Sequence, residues 1–127
     1  MALRHNKPCI CVVDDDEAVR GSLELFLSLK GMQVFAYESG KELLEKRLAI
    51  PPHLFILDIH MPDMDGFELM RELRLRAVAA PVILMSGLGD QQIAARAETL
   101  GVAAFFNKPI DPKVLLEAVI RLVGNPA

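Results

Sequence analysis

The stretch Leu54-Phe55-Ile56-Leu57-Asp58 constrains this chain more than any other. Its apolar residues end on a carboxylate, and the chain then breaks into a turn at Met61-Pro62 and Asp65-Gly66. A continuous apolar run bounded by turn signals reads as a strand buried on both faces. Such strands belong to parallel sheets covered by helices on both sides. Asp58 would then close a central strand, at the sheet edge where open α/β folds place their chemistry.

The remaining sequence fits the same architecture. Cys9 to Val13 is an apolar run ended abruptly by Asp14-Asp15-Asp16. From Glu17 to Lys30, the residues Val19, Leu23, Phe26, Leu27 and Lys30 share one helical face, and Gly31 supplies the stop. Gln33 to Tyr37 predicts a short strand. Ser39-Gly40-Lys41-Glu42 has capping-box spacing and predicts a helix toward Leu48. Asp65-Gly66-Phe67-Glu68 opens a third helix ending near Ala77. Val82 to Met85 predicts a strand, and Asp90 can cap a helix through Leu100 that Gly101 ends. Val102 to Phe106 predicts the last strand. Asp111-Pro112 pairs an N-cap with proline at the first helical position of a helix reaching about Val123.

Strict strand–helix alternation predicts one flavodoxin-like (βα)5 domain, a doubly wound parallel sheet of order 2-1-3-4-5. The expected domain is the whole chain, residues 1–127, with a core of about 8–123 and no output domain. Right-handed crossovers bring every carboxyl-terminal strand end to one edge.

Composition narrows the function classes. The net charge is -3, and no stretch clusters Lys and Arg as a nucleic-acid surface would. No apolar run approaches the ~18 residues that span a bilayer. The polar start, Met1 to Lys7, lacks the apolar region of a signal peptide, so a cytoplasmic location is expected. Cys9 and Cys11, two apart on a strand, share a face and read as small buried residues rather than a redox pair. His5, His53 and His60 share no metal spacing.

The chemistry-bearing residues fall at the predicted strand ends. The first strand contributes Asp14 and Asp15, the third Asp58, the fourth Ser86 and Gly87, and the fifth Asn107 and Lys108. The first and third strands are neighbours in this order, so the three aspartates converge in one crevice. At an effective dielectric of ~20, each carboxylate pair a few ångström apart costs on the order of several kcal/mol. The Lys108 ammonium and a divalent ion can offset that cost. Hard oxygen ligands in an incomplete protein cage suit magnesium, which keeps waters and takes phosphate oxygens. With the Ser86 hydroxyl and the Gly87 backbone N–H as donors, the set is an inventory for phosphoryl transfer, in which a carboxylate can serve as covalent acceptor.

Four motifs, in order, carry a resemblance: Val12-Val13-Asp14-Asp15-Asp16, Leu57-Asp58-Ile59-His60-Met61-Pro62-Asp63-Met64-Asp65-Gly66, Met85-Ser86-Gly87 and Asn107-Lys108-Pro109. From about Pro8 to Val123 the chain resembles the receiver domain of bacterial two-component response regulators. The resemblance implies that Asp58 takes a phosphoryl group from a histidine kinase or phosphotransfer protein. It implies Mg²⁺, with Mn²⁺ as a substitute, held directly by Asp15, through water by Asp14, and by Asp58 and the His60 backbone carbonyl. Lys108 would contact the phosphoryl oxygens, joined by Ser86 and the Gly87 backbone. Ser86 and Phe105 would form the switch, and the Lys108–Pro109 peptide would be cis. The face built from the fourth helix, fifth strand and fifth helix would meet a partner or a second copy. Ala94, Ala95, Ala97 and Ala118 leave it low in charge.

Several positions depart from the family's common pattern. Phe105 replaces the frequent tyrosine, Ser86 the commoner threonine, and Ile110 the usual phenylalanine. His60 and Leu88 occupy positions that vary and influence dephosphorylation, so an altered phosphoryl lifetime is expected. Asp16 reads as a solvated helix start. Competing readings are an Mg²⁺-dependent aspartyl-nucleophile phosphatase, for which Asp14-Asp15-Asp16 offers Asp-x-Asp spacing, and a phosphorylation-independent scaffold receiver. A flavin- or nucleotide-binding domain lacks its phosphate loop after the first strand. Gly87-Leu88-Gly89 likewise lacks the lysine and spacing of a P-loop.

Overall fold

The computed structural model describes residues 7–46, 51–87 and 91–125. Within them the chain runs β1 (Cys9–Val13), α1 (Glu17–Leu29), β2 (Gln33–Tyr37), α2 (Gly40–Glu45), β3 (Leu54–Asp58), α3 (Gly66–Leu75), β4 (Val82–Ser86), α4 (Gln91–Thr99), β5 (Ala104–Asn107) and α5 (Pro112–Val123). The strands form one parallel sheet in the order β2-β1-β3-β4-β5. This is the expected doubly wound arrangement. Every residue of β1, β3 and β4 is buried, whereas β2 and β5, at the edges, are only partly so.

The period-two alternation of side chains divides the core between the sheet's two faces. Cys11, Val13, Phe55, Leu57, Val82 and Leu84 pack with residues of α2, α3 and α4. Ile10, Val12, Leu54, Ile56, Ile83 and Met85 pack with α1 and α5 through Leu27, Leu115 and Val119. Both cysteines are free and buried, and burial, then the neighbouring Cys9, pushes the Cys11 thiol up to about 12, which leaves it unreactive.

Helix termini follow from local chemistry. Asp16, Asp65 and Asp111 cap α1, α3 and α5 with their carboxylates, and Asp65 and Glu68 form a reciprocal capping box. At α2 the expected box is only half made. Ser39 accepts from the Glu42 N–H, but the Glu42 carboxylate reaches one residue farther, to the N–H of Glu38. That helix ends at Glu45, short of Leu48, because Lys46 is already extended with ψ 138°. The Asp90 cap lies outside the described residues.

Helices α1, α3 and α4 all end in the same double hydrogen bond. Gly31 and Met32 donate to Ser28 and Leu27, Ala77 and Val78 to Arg74 and Leu73, and Gly101 and Val102 to Glu98 and Ala97. This Schellman closure needs a left-handed residue, and the three φ values are 92°, 62° and 75°. It also explains two boundary differences from the sequence expectation. α3 stops before Ala77, and Val102 spends its N–H on α4, so β5 begins at Ala104.

Two of the three left-handed positions are glycines and the third is Ala77. A left-handed alanine carries a steric cost on the order of 1 kcal/mol, partly offset by glycine's greater freedom in the unfolded chain. Ala77→Gly should therefore raise stability by about 0.5–1 kcal/mol. Urea denaturation should show a higher midpoint at unchanged slope, and a lower midpoint would contradict this account of the α3 terminus.

Candidate functional site

Register builds the site. Val13 pairs with Leu57, so the residues that follow, Asp14 and Asp58, emerge side by side at the carboxyl edge. Both continue the alternation of the α1/α5 face. Ser86 pairs with Asn107, which brings Lys108 to the same edge. The backbone holds this geometry: Asp14 N–H donates to Tyr37, Ile59 N–H to Met85 and Lys108 N–H to Ser86. The Lys108–Pro109 peptide is cis.

Asp14 is fully buried and Asp58 is 3% exposed. The Lys108 ammonium lies 2.8 Å from Asp14 Oδ2 and 3.3 Å from Asp58 Oδ1. The approach to Asp14 Oδ2 lies off the hydrogen-bonding direction, so this oxygen is ion-paired but receives no directed hydrogen bond. Asp14 Oδ1 accepts from the Asp16 N–H at 2.9 Å. Asp58 Oδ1 accepts a long bond, 3.4 Å, from the His60 N–H. Asp15 is exposed at the mouth. Among the described residues, one oxygen from each of Asp14, Asp15 and Asp58 lies within 4.8 Å of the others, a grouping that could hold a metal ion.

These contacts set the proton affinities. Burial raises the Asp58 carboxyl and the Asp14 charge raises it further; attraction and a hydrogen bond from Lys108, with the His60 N–H, lower it. The net result is pushed up to about 6. Burial pulls the Lys108 ammonium down, but its close approach and attraction to Asp14, then to Asp58, outweigh that and leave it raised. Lysine is thus firmly charged. Its single charge does not balance the carboxylates, and Asp58 ionises less readily than an ordinary aspartate. A buried, undirected carboxylate oxygen beside two more hard oxygens fits a divalent ion.

Close backbone approach explains Gly66. A Cβ there would sit 2.6 Å from the Asp58 carbonyl oxygen and 2.9 Å from the Ile59 Cα. The start of α3 therefore lies directly on the backbone that presents Asp58, and its N–H donates to the Ile59 carbonyl at 2.9 Å.

The switch candidates lie on the other face. Ser86 continues the alternation of Val82 and Leu84 toward α3 and α4, and is fully buried. Phe105 pairs with Leu84 and packs, half-buried, against the same cluster. Gly87 is exposed, with open space where a Cβ would be. Leu88 lies outside the described residues.

Two contacts had no signal in the sequence. The Arg20 guanidinium, one turn into α1, donates to the Asp14 carbonyl at 2.7 Å and pins the acidic loop. The His60 ring reaches back so that Nε2 meets Ser86 Oγ at 3.1 Å. The sequence assigned His60 a metal-facing backbone carbonyl and a position that influences dephosphorylation, but no contact with Ser86. A correction applies to the low-charge face: Ala97 and Ala118 are 0% and 2% exposed. They pack beneath α4 and α5 and contribute nothing outward, leaving Ala95, Leu100 and Val114 as exposed apolar residues there.

Comparison with known proteins agrees with the fold. The response regulator receiver domain model matches residues 10–120. The transcriptional regulatory protein FixJ of Azorhizobium caulinodans is 36% identical over 116 residues, covering 91% of this chain and 55% of FixJ. The crystal structure of FixJ-N superposes with a TM-score of 0.83 at 32% identity, covering 94% of this chain and 95% of that one. The BeF3-activated DrrB receiver domain gives a TM-score of 0.82 at 27% identity, covering 92% and 97%. The chain belongs to the response-regulator receiver family of two-component systems, whose domains act as signalling switches. It spans about half the length, or less, of the curated relatives it matches. Among the described residues no helix is long and apolar enough to cross a membrane.

Because Asp58 is a weaker acid in the folded chain, stability depends on pH. Its folded value, about 6, lies above the ordinary 3.8. The folded chain therefore holds a proton that the unfolded chain has lost, and stability falls as pH rises through that interval. Asp58→Asn removes the loss. In metal-free protein the variant should gain on the wild type between about pH 4 and pH 7.5, by on the order of 2 kcal/mol. Urea denaturation at the two pH values measures this, and a gap that fails to widen would contradict the placement of Asp58.

Proposed function

We propose that Asp58 accepts a phosphoryl group from the phosphohistidine of a sensor kinase or phosphotransfer protein, and that this chain's own residues catalyse the transfer and its later hydrolysis. The observation that supports this most strongly is the bridge from Lys108 to Asp14 and Asp58 inside an otherwise acidic, buried crevice. A carboxylate oxygen of Asp58 attacks phosphorus while the donor N–P bond breaks, its electron pair staying with the leaving imidazole. Lys108, already at the carboxylates, is placed to meet the incoming phosphoryl oxygens. Hydroxyl and amide donors at Ser86 and Gly87 would receive the others.

Asp15 directly, Asp14 through water, Asp58, and the His60 carbonyl would hold Mg²⁺, with Mn²⁺ as a substitute. The ion would supply charge neutralisation between acidic pocket and phosphate. Phosphorylation then changes which position Ser86 favours. Phe105, on the same side of the sheet, would follow it inward. The partner- or dimer-binding face would be α4, β5 and α5, where Ala95, Leu100 and Val114 are exposed. Such a change is a shift between two conformations biased by the new charge.

Acetyl phosphate with Mg²⁺ provides the test. Intact-mass spectrometry should show a single added phosphoryl group on the wild type, none on Asp58→Asn, and none in EDTA. Full labelling of the variant would remove Asp58 from the acceptor role. An unlabelled wild type would favour the scaffold reading.

A further inference from the structure

One residue touches both halves of the proposed switch. The backbone N–H of His60 donates to Asp58 Oδ1, and its ring Nε2 meets the hydroxyl of Ser86 at 3.1 Å, a contact spanning 26 residues of sequence. His60 is itself exposed, while Ser86 is fully buried at the end of β4. Core packing therefore does not call for an imidazole here. The ring turns inward from the β3–α3 loop and meets a polar group that the core encloses.

Serine makes this contact consequential. Threonine's second heavy atom on Cβ restricts χ1, whereas serine is free to exchange among staggered rotamers. External hydrogen bonds, the His60 contact among them, then select the position of the Ser86 hydroxyl. Movement of that hydroxyl toward a phosphoryl group on Asp58 would break the bond to His60 or drag the ring along. A hydrogen bond present in only one of two states shifts the equilibrium toward that state by its own net worth.

We propose that the His60 imidazole is a latch: it holds Ser86 in the resting position and so opposes activation. His60 is a positioning residue here, acting through Ser86 and not on the reacting atoms. The inference rests on Asp58 being the acceptor and Ser86 the responding hydroxyl.

Beryllofluoride with Mg²⁺, an acyl-phosphate mimic, separates the two ideas because it measures an equilibrium and not a phosphoryl lifetime. Affinity is titrated by NMR, following the Ser86 amide and the Phe105 ring, for wild type, His60→Ala, Ser86→Ala and the double variant. His60→Ala should bind about three- to tenfold more tightly than wild type, the range expected for losing one net hydrogen bond from the resting state. On a Ser86→Ala background the same change should have no effect. If the wild type binds but His60→Ala is unchanged or weaker, the latch is wrong and the acceptor assignment stands. An equal gain on both backgrounds likewise overturns the latch, since the effect would not pass through Ser86. A wild type that does not bind at all overturns the acceptor assignment and the latch with it.

Discussion

The site depends on one electrostatic arrangement: a lysine ammonium held between two buried carboxylates. Lys108 sits 2.8 Å from Asp14 and 3.3 Å from Asp58. Removing such charges from water is costly unless they are paired, and pairing three acids with one base remains incomplete. Burial and the residual negative charge leave Asp58 a weaker acid than an ordinary aspartate, and the grouped oxygens could hold a divalent cation. The same imbalance that costs stability in the resting protein is what a bound cation would relieve. Functional sites commonly carry perturbed acids of this kind.

Backbone geometry sets most of this arrangement. Parallel pairing of β1 with β3 sets Asp14 beside Asp58, and the β4–β5 pairing delivers Lys108. Gly66 lets α3 start against the very peptide that carries Asp58. Arg20 ties the Asp14 carbonyl to α1. The two core layers pack on either side of the sheet. Side-chain alternation then divides the labour: Asp14 and Asp58 continue the α1/α5 face, Ser86 and Phe105 the α3/α4 face. The loops at the strand ends run beside both sets, and His60 occupies one of them.

The fold was legible because buried parallel strands write themselves as unbroken apolar runs, and glycine and aspartate mark the helix ends. Strand order and the convergence of Asp14, Asp58 and Lys108 follow from alternation and handedness. What sequence could not show depends on directions in space. The side-chain reach of His60 to Ser86 and of Arg20 to Asp14 crosses between elements, with no periodicity to reveal it. Counting alanines near α4 and α5 misjudged their surface, since Ala97 and Ala118 face the sheet. The capping-box spacing at Ser39 was real, yet Glu42 chose the neighbouring N–H. Boundaries moved at Ala77 and Val102 because the helix closures recruit residues beyond the last helical turn.

The proposed function requires the phosphoryl group to reside on the Asp58 carboxylate and nowhere else. An acyl phosphate is reduced by borohydride to a primary alcohol, which turns an aspartate into homoserine, whereas a phosphoserine survives. Protein treated with phosphodonor and Mg²⁺, reduced with borohydride and analysed by peptide mass spectrometry should carry homoserine at position 58 alone. Homoserine at position 14 or 15, or a borohydride-stable phosphate at Ser86, would contradict the account.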